Sequence, residues 1–87
     1  MKNNIPNSVR ATLWSYDVDS MNTDRDKVLI ITQVLNYGTM DAVEWLNNTY
    51  KRSDITECIH SPLPGMWNKK SLNLWSLIFA HPAVIAQ

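Results

Sequence analysis

The stretch from Asn68 to Ala80 constrains the fold more than any other part of the chain. At about 100° per residue, Leu72, Leu74, Trp75, Leu77, Ile78, Phe79 and Ala80 are spread around the helical circumference and leave no wide polar face. A helix apolar on all sides belongs in a core or against a partner. In a chain of 87 residues, which hides only somewhat more than about 60% of the surface its unfolded form exposes, both are open. The expectation is a compact all-α bundle of four to five short helices in one domain, residues 1–87, with this last helix central.

Net charge sets a further limit. Eight Lys and Arg balance eight Asp and Glu, whereas a domain that grips phosphates usually carries a basic excess. The charges are unevenly placed. Asp17, Asp19, Asp24 and Asp26 crowd one region, relieved by Arg25 and Lys27, and Lys51, Arg52, Lys69 and Lys70 mark another. These are either two solvated surfaces or, for the acids, a patch that docks a basic partner. Cys58 is the only cysteine, so no intrachain disulfide forms, which suits a reducing cytoplasm. Met1 to Pro6 holds no apolar core of a secretory signal, and no run approaches the roughly 20 apolar residues that cross a bilayer.

Met1 to Asn7 is polar and expected to fray. Pro6 opens a short helix through Val9, Ala11, Leu13 and Trp14, and Ser15 to Asn22 reads as a loop. The first long helix starts near Thr23 or Asp24, with Thr23 as cap and Val28, Ile31, Val34 and Leu35 at helical spacing, Ile30 flanking; the run Val28 to Ile31 raises a strand alternative, which length and the Gly38 stop argue against. It stops at Asn36-Tyr37-Gly38, with Gly38 in the left-handed conformation. Thr39 then caps a helix from about Met40 to Tyr50, whose inward set is Met40, Val43, Leu46 and Tyr50. Lys51 and Arg52 follow its C-terminus, where positive charge is favoured. Ser53 caps a short helix, Asp54 to His60, that buries Ile55, Cys58 and Ile59. Pro62 and Pro64 end it, Asn68 or Lys69 starts the last helix, His81-Pro82 ends that, and residues 83–87 form an apolar tail.

Catalytic and metal chemistry find little support in these residues. Cys58, His60 and His81 are too few and too badly spaced for a zinc site, and Cys58 and His60, two apart on one helix, point away from each other. Asp17 and Asp19 resemble the start of a calcium loop, but Met21, Asn22 and Asp24 do not complete it. With Gly38 and Gly65 the only glycines, there is no phosphate loop. No catalytic residue, metal, cofactor or small-molecule substrate is expected. A helix–turn–helix over residues 40–60 is the main alternative, with Lys51 and Arg52 touching nucleic acid. Asp54 and Glu57 would then face the phosphates and repel them, which argues against direct nucleic-acid binding.

Five large aromatics, Trp14, Tyr16, Trp45, Trp67 and Trp75, together with an all-apolar helix and an apolar tail, exceed what one small core needs. Trp and Tyr are also common anchors of protein interfaces. The candidate interface therefore comprises Trp14, Tyr16, Asp17, Asp19, Trp45, Trp67 and Trp75, with at least one of Trp14, Trp45 and Trp67 partly exposed.

One resemblance spans most of the chain. It is carried by Leu13-Trp14-Ser15-Tyr16-Asp17, by Asp26-Lys27 before Val28 to Ile31, by Val34-Leu35-Asn36-Tyr37-Gly38, by Trp45-Leu46 and Tyr50, and by Lys70-Ser71-Leu72-Asn73-Leu74-Trp75. This pattern resembles a small bacterial domain family of unknown function whose members look like short helical proteins encoded beside nucleotidyltransferase-type toxins. The resemblance implies an antitoxin or accessory role by association. The expected function is a non-enzymatic protein-binding module whose partner is another protein, such as a toxin, or a second copy of itself. The alternative is a helix–turn–helix regulator.

Overall fold

Pro6, whose fixed φ suits a helix start, precedes α1, Asn7–Arg10. A 3-10 turn at Val18–Ser20 follows, then α2 (Lys27–Tyr37), α3 (Met40–Thr49), α4 (Arg52–His60) and α5 (Lys69–Ala80). The computed structural model describes residues 5–62 and 65–80, with the backbone alone for Phe79 and Ala80. The expectations for Met1 to Asn4, Leu63, Pro64, the stop at His81-Pro82 and the tail lie outside the described residues. No strand occurs among the described residues, and the radius of gyration, 12.5 Å, is near the roughly 12 Å of a folded chain this long. The all-α bundle is as expected. Order reaches further toward the N-terminus than expected: Ile5 is buried, and its carbonyl accepts Arg10 Nε at 3.0 Å.

The centre of the bundle is α2, not the last helix. Ile30, Ile31, Thr32, Gln33, Val34 and Leu35 are all buried, and α2 touches α3, α4 and α5. By contrast, α5 lies on one flank, against α2 and α4. Leu72 and Trp75 pack onto the core, while Leu74 and Leu77 are 52% and 55% exposed. An apolar helix is buried as far as it has neighbours, and α2 has more of them than α5; even so, Val28 and Tyr37 near its two ends are exposed.

Local chemistry sets the helix ends. Asn22, rather than Thr23, caps the turn leading into α2: its Oδ1 accepts the N–H groups of Asp24 and Arg25 at 2.8 and 2.9 Å. Asp26 Oδ2 answers by accepting the Asn22 N–H at 2.9 Å. Thr23 instead offers its carbonyl to Tyr50 Oη, which donates at 2.7 Å. Gly38 is extended, φ −76° and ψ 157°, not left-handed. Its lack of a side chain serves close approach, because a Cβ there would lie 2.5 Å from the Val34 carbonyl oxygen. In α3, Ala42, Val43 and Leu46 are buried, and the following Tyr50 with them. Met40, expected inward, sits two residues and so roughly 200° from Ala42, and it is 77% exposed.

As expected, α4 buries Ile55, Cys58 and Ile59. It starts at Arg52, however, and Ser53 makes no cap. The Lys51 N–H donates to Asp54 Oδ2 at 3.3 Å, while Lys27 Nζ reaches Asp54 Oδ1 at 3.1 Å and ties α2 to α4. Lys51 and Arg52 thus open α4 rather than close α3. The α2–α5 contact is built on one side chain. Asn36 Nδ2 donates to the Met66 carbonyl at 2.8 Å, and Asn36 Oδ1 accepts the Asn68 N–H at 3.0 Å. Trp75 Nε1 donates to the Leu35 carbonyl at 2.8 Å, occupying an acceptor that the end of α2 leaves free. Asn68 Oδ1 caps α5 by accepting the Lys70 N–H at 2.9 Å.

Candidate docking site

Thr12 and Leu13 are buried, and the Thr12 carbonyl accepts Gln33 Nε2 from α2 at 2.9 Å. This bond pins the end of the first turn of chain against the central helix. The next residue, Trp14, therefore emerges on the surface, 66% exposed. It meets Tyr37, the last residue of α2, in an edge-to-face contact with ring centroids 5.3 Å apart and planes at 71°. Tyr37 is itself 52% exposed. Tyr16, held in a turn by its N–H to the Leu13 carbonyl at 2.9 Å, is also exposed. Three residues beyond Tyr37 comes exposed Met40. The Trp14–Tyr37 contact thus joins two chain segments far apart in sequence, each with a second exposed large side chain nearby in sequence, Tyr16 in one and Met40 in the other.

The structure divides the seven expected interface residues. Trp14, Tyr16, Asp17 and Asp19 are exposed on the segment between α1 and α2, with Asp19 in the 3-10 turn. Asp17 Oδ2 accepts Ser20 Oγ at 2.7 Å, and Asp19 is paired with Arg10 at 3.0 Å. Trp45, Trp67 and Trp75 are half-buried and cover the core. Trp45 meets Tyr50 edge to face at 6.1 Å, and the Trp67 indole N–H is buried without a hydrogen-bond partner among the described residues. The expected acidic patch is partly spent in turns and pairs. Asp26 binds Arg25 at 2.8 Å, and that guanidinium and the Asn22 N–H hold its carboxyl below the usual range.

The exposure of Tyr37 and Met40 was not expected. Tyr37 was hidden in a helix-stop reading, and Met40 follows the rule that large apolar residues turn inward. The signal for Met40 lay in Ala42, whose inward position at the same end of α3 sends Met40 outward. The expected exposure of at least one tryptophan holds, most clearly at Trp14.

Elsewhere the chemistry is structural. Burial, with the Glu57 and Asp54 carboxylates adding to it, pushes the Cys58 thiol up to about 11, so little thiolate forms near neutrality. Cys58 is buried while His60 is exposed, and His81 lies outside the described residues. No cluster of His, Cys, Asp and Glu among the described residues could hold a metal ion. No described helix is long and apolar enough to cross a membrane. The outer side of α4, Arg52, Ser53, Thr56, Glu57 and His60, borders a shallow open groove. Asp54 does not stand there as a bare charge, because Lys27 and the Lys51 N–H hold it and keep its carboxyl below the usual range, Lys27 foremost.

No curated protein and no solved structure matches the chain. Residues 10–59, more than half of the chain, match a family of unknown function, DUF6922. The match runs from the last residue of α1 through nearly all of α4, so it takes in the central helix and the Trp14–Tyr37 pair. The chain belongs to the DUF6922 family of unknown function.

Proposed function

We propose that this chain is a non-enzymatic protein-recognition module that docks its partner on the face formed by Trp14, Tyr37, Tyr16 and Met40. The observation that carries this reading is the exposed Trp14–Tyr37 pair, in a chain whose core is closed by other residues. A large aromatic already held by a neighbouring ring loses little conformational entropy on binding, which is how interface anchors act. The resemblance read from the sequence adds a partner class, in which the chain is the antitoxin or accessory subunit of a toxin encoded beside it.

The test is co-expression with the product of the adjacent reading frame, followed by mass measurement of the purified species and titration of the separated partners. A defined complex is expected, and the double substitution W14A/Y37A is expected to weaken it by at least about 2 kcal/mol, the scale of an anchor residue. A complex equally tight with the double variant overturns this face as the docking site.

A second reading, a helix–turn–helix regulator, draws on α2 touching both α3 and α4 and on the two-residue connection, Tyr50-Lys51, between them. Lys51 and Arg52 are exposed at the start of α4, but Glu57 shares its outer side, and the overall charge is zero. It requires duplex binding that falls steeply with salt and is lost in K51A/R52A. Absence of binding to duplex DNA at low salt sinks it.

A further inference from the structure

We propose that the Trp14–Tyr37 face receives an arginine-bearing basic segment of the partner protein; this rests on the reading of that face as the docking site and names what it binds. The first observation is charge. Residues 11–50, which carry the face, contain six carboxylates, Asp17, Asp19, Asp24, Asp26, Asp41 and Glu44, against two cations, Arg25 and Lys27, which pair with Asp26 and Asp54. The second is the combination of groups. Asp17 is three residues from Trp14, and Asp41 is four from Tyr37. A chain spans at most about 3.6 Å per residue, so the Cα atoms of Asp17 and Asp41 lie within roughly 11 Å and 14 Å of those of Trp14 and Tyr37. Both acids are exposed.

A flat aromatic face beside a carboxylate is the pairing a guanidinium satisfies best. Its plane stacks on the ring while its N–H fork binds the acid. The cation nearest in sequence, Arg10, does not fill this role from within the chain, because its guanidinium is committed to Asp19 and to the Ile5 carbonyl. A second copy of the chain fits the face poorly. A two-fold contact sets a patch against itself, and Asp17 and Asp41 would then meet their own like charges.

The test uses the isotope-labelled full chain and three probes, synthetic peptides of about six arginines, six lysines and six glutamates. Resonances of the Trp14 indole N–H and of the Tyr37, Met40 and Asp41 amides are followed at low and high salt. The arginine peptide is expected to move these resonances first, the lysine peptide to bind more weakly, and the glutamate peptide not to bind. W14L should weaken the arginine peptide roughly two- to fivefold, the scale of an exposed cation–π contact, and W14F should largely restore it. D17N/D41N should weaken it further and flatten the salt dependence. Shifts centred on Asp24 and Asp26, or W14L binding as wild type, overturn the proposal. A partner complex that needs Trp14 but ignores salt, with no arginine-peptide binding, overturns this inference and leaves the docking face standing. A complex indifferent to W14A/Y37A removes the docking face itself.

Discussion

The helices α2 and α5 are written in similar residues and live in different surroundings. Each is rich in large apolar side chains around its circumference. Yet α2 buries six consecutive residues, Ile30 to Leu35, while α5 leaves Leu74 and Leu77 more than half exposed. The difference is one of neighbours. α3, α4 and α5 all pack against α2, whereas α5 packs chiefly against α2 and α4. Hydrophobicity states that a helix wants cover, and topology decides how much cover it receives.

The strongest way to break this contrast is to truncate one leucine-sized side chain in each helix. Ile31 is fully buried, so I31A removes apolar contacts and leaves a cavity, at a cost of about 2–5 kcal/mol. L77A, on the exposed side of α5, should cost less than about 1 kcal/mol. Chemical denaturation with unchanged slope measures both. Equal losses would mean that α5 is covered in solution, by a second copy or by the tail, and the comparison would fail.

Alkaline pH strikes the same central half by another route. Burial above all, with nearby carboxylates, raises the Tyr50 phenol to about 12 and the Cys58 thiol to about 11. The unfolded chain gives up these protons near their ordinary values while the native state keeps them. Stability is therefore intact below about pH 9 and falls between about pH 9 and 12. At roughly 1.4 kcal/mol per unit, each group, raised by about two units, accounts for up to about 3 kcal/mol once its native value is passed. Among its described side chains α5 holds no tyrosine or cysteine. Melting temperature against pH should fall in this window, with a shallower fall in C58A and in Y50F. A flat profile to pH 11 contradicts the burial assigned to both.

Much of this arrangement was legible in the chain, and its failures have physical causes. The α4 core set, Ile55, Cys58 and Ile59, follows from a short helix with one apolar stripe, and a single stripe has a single way to pack. The rank of α2 over α5 was not legible, because both have apolar residues on every side and the deciding contacts are long-range. Gly38 was read as a left-handed cap because that is glycine's commonest use at a helix end. The close approach of the Val34 carbonyl, which is its actual role, has no sequence signature. The docking face was half legible. An excess of aromatics signalled that some must be exposed, but only the fold shows that Trp14 finds Tyr37 while Trp45, Trp67 and Trp75 stay with the core.

The junction between the two helices sharpens the contrast further. Asn36 bonds Met66 and Asn68 with one amide, so N36A removes two hydrogen bonds at the entry to α5. The expected loss is about 1–2 kcal/mol. Its distribution is more diagnostic than its size: amide exchange should accelerate through α5 and remain slow in Ile30 to Val34. Uniform acceleration would show that α2 and α5 open as one unit, contrary to their unequal burial.

The smallest effect on folding is expected where the largest effect on binding is proposed. Trp14 is two-thirds in water and meets the central helix in its edge-on contact with Tyr37. Such a ring pair is worth about 0.5–1.5 kcal/mol beyond its buried area, and solvent exposure puts Trp14 at the low end. W14A should therefore cost less than about 1 kcal/mol of stability, read by the same denaturation experiment as I31A, and should leave exchange in α2 unchanged. A much larger loss would mean that the indole closes the core, and its exposure could no longer be taken as a surface kept for a partner. If the loss is small, a large tryptophan stays in water at little benefit to the fold, as the proposed docking face requires.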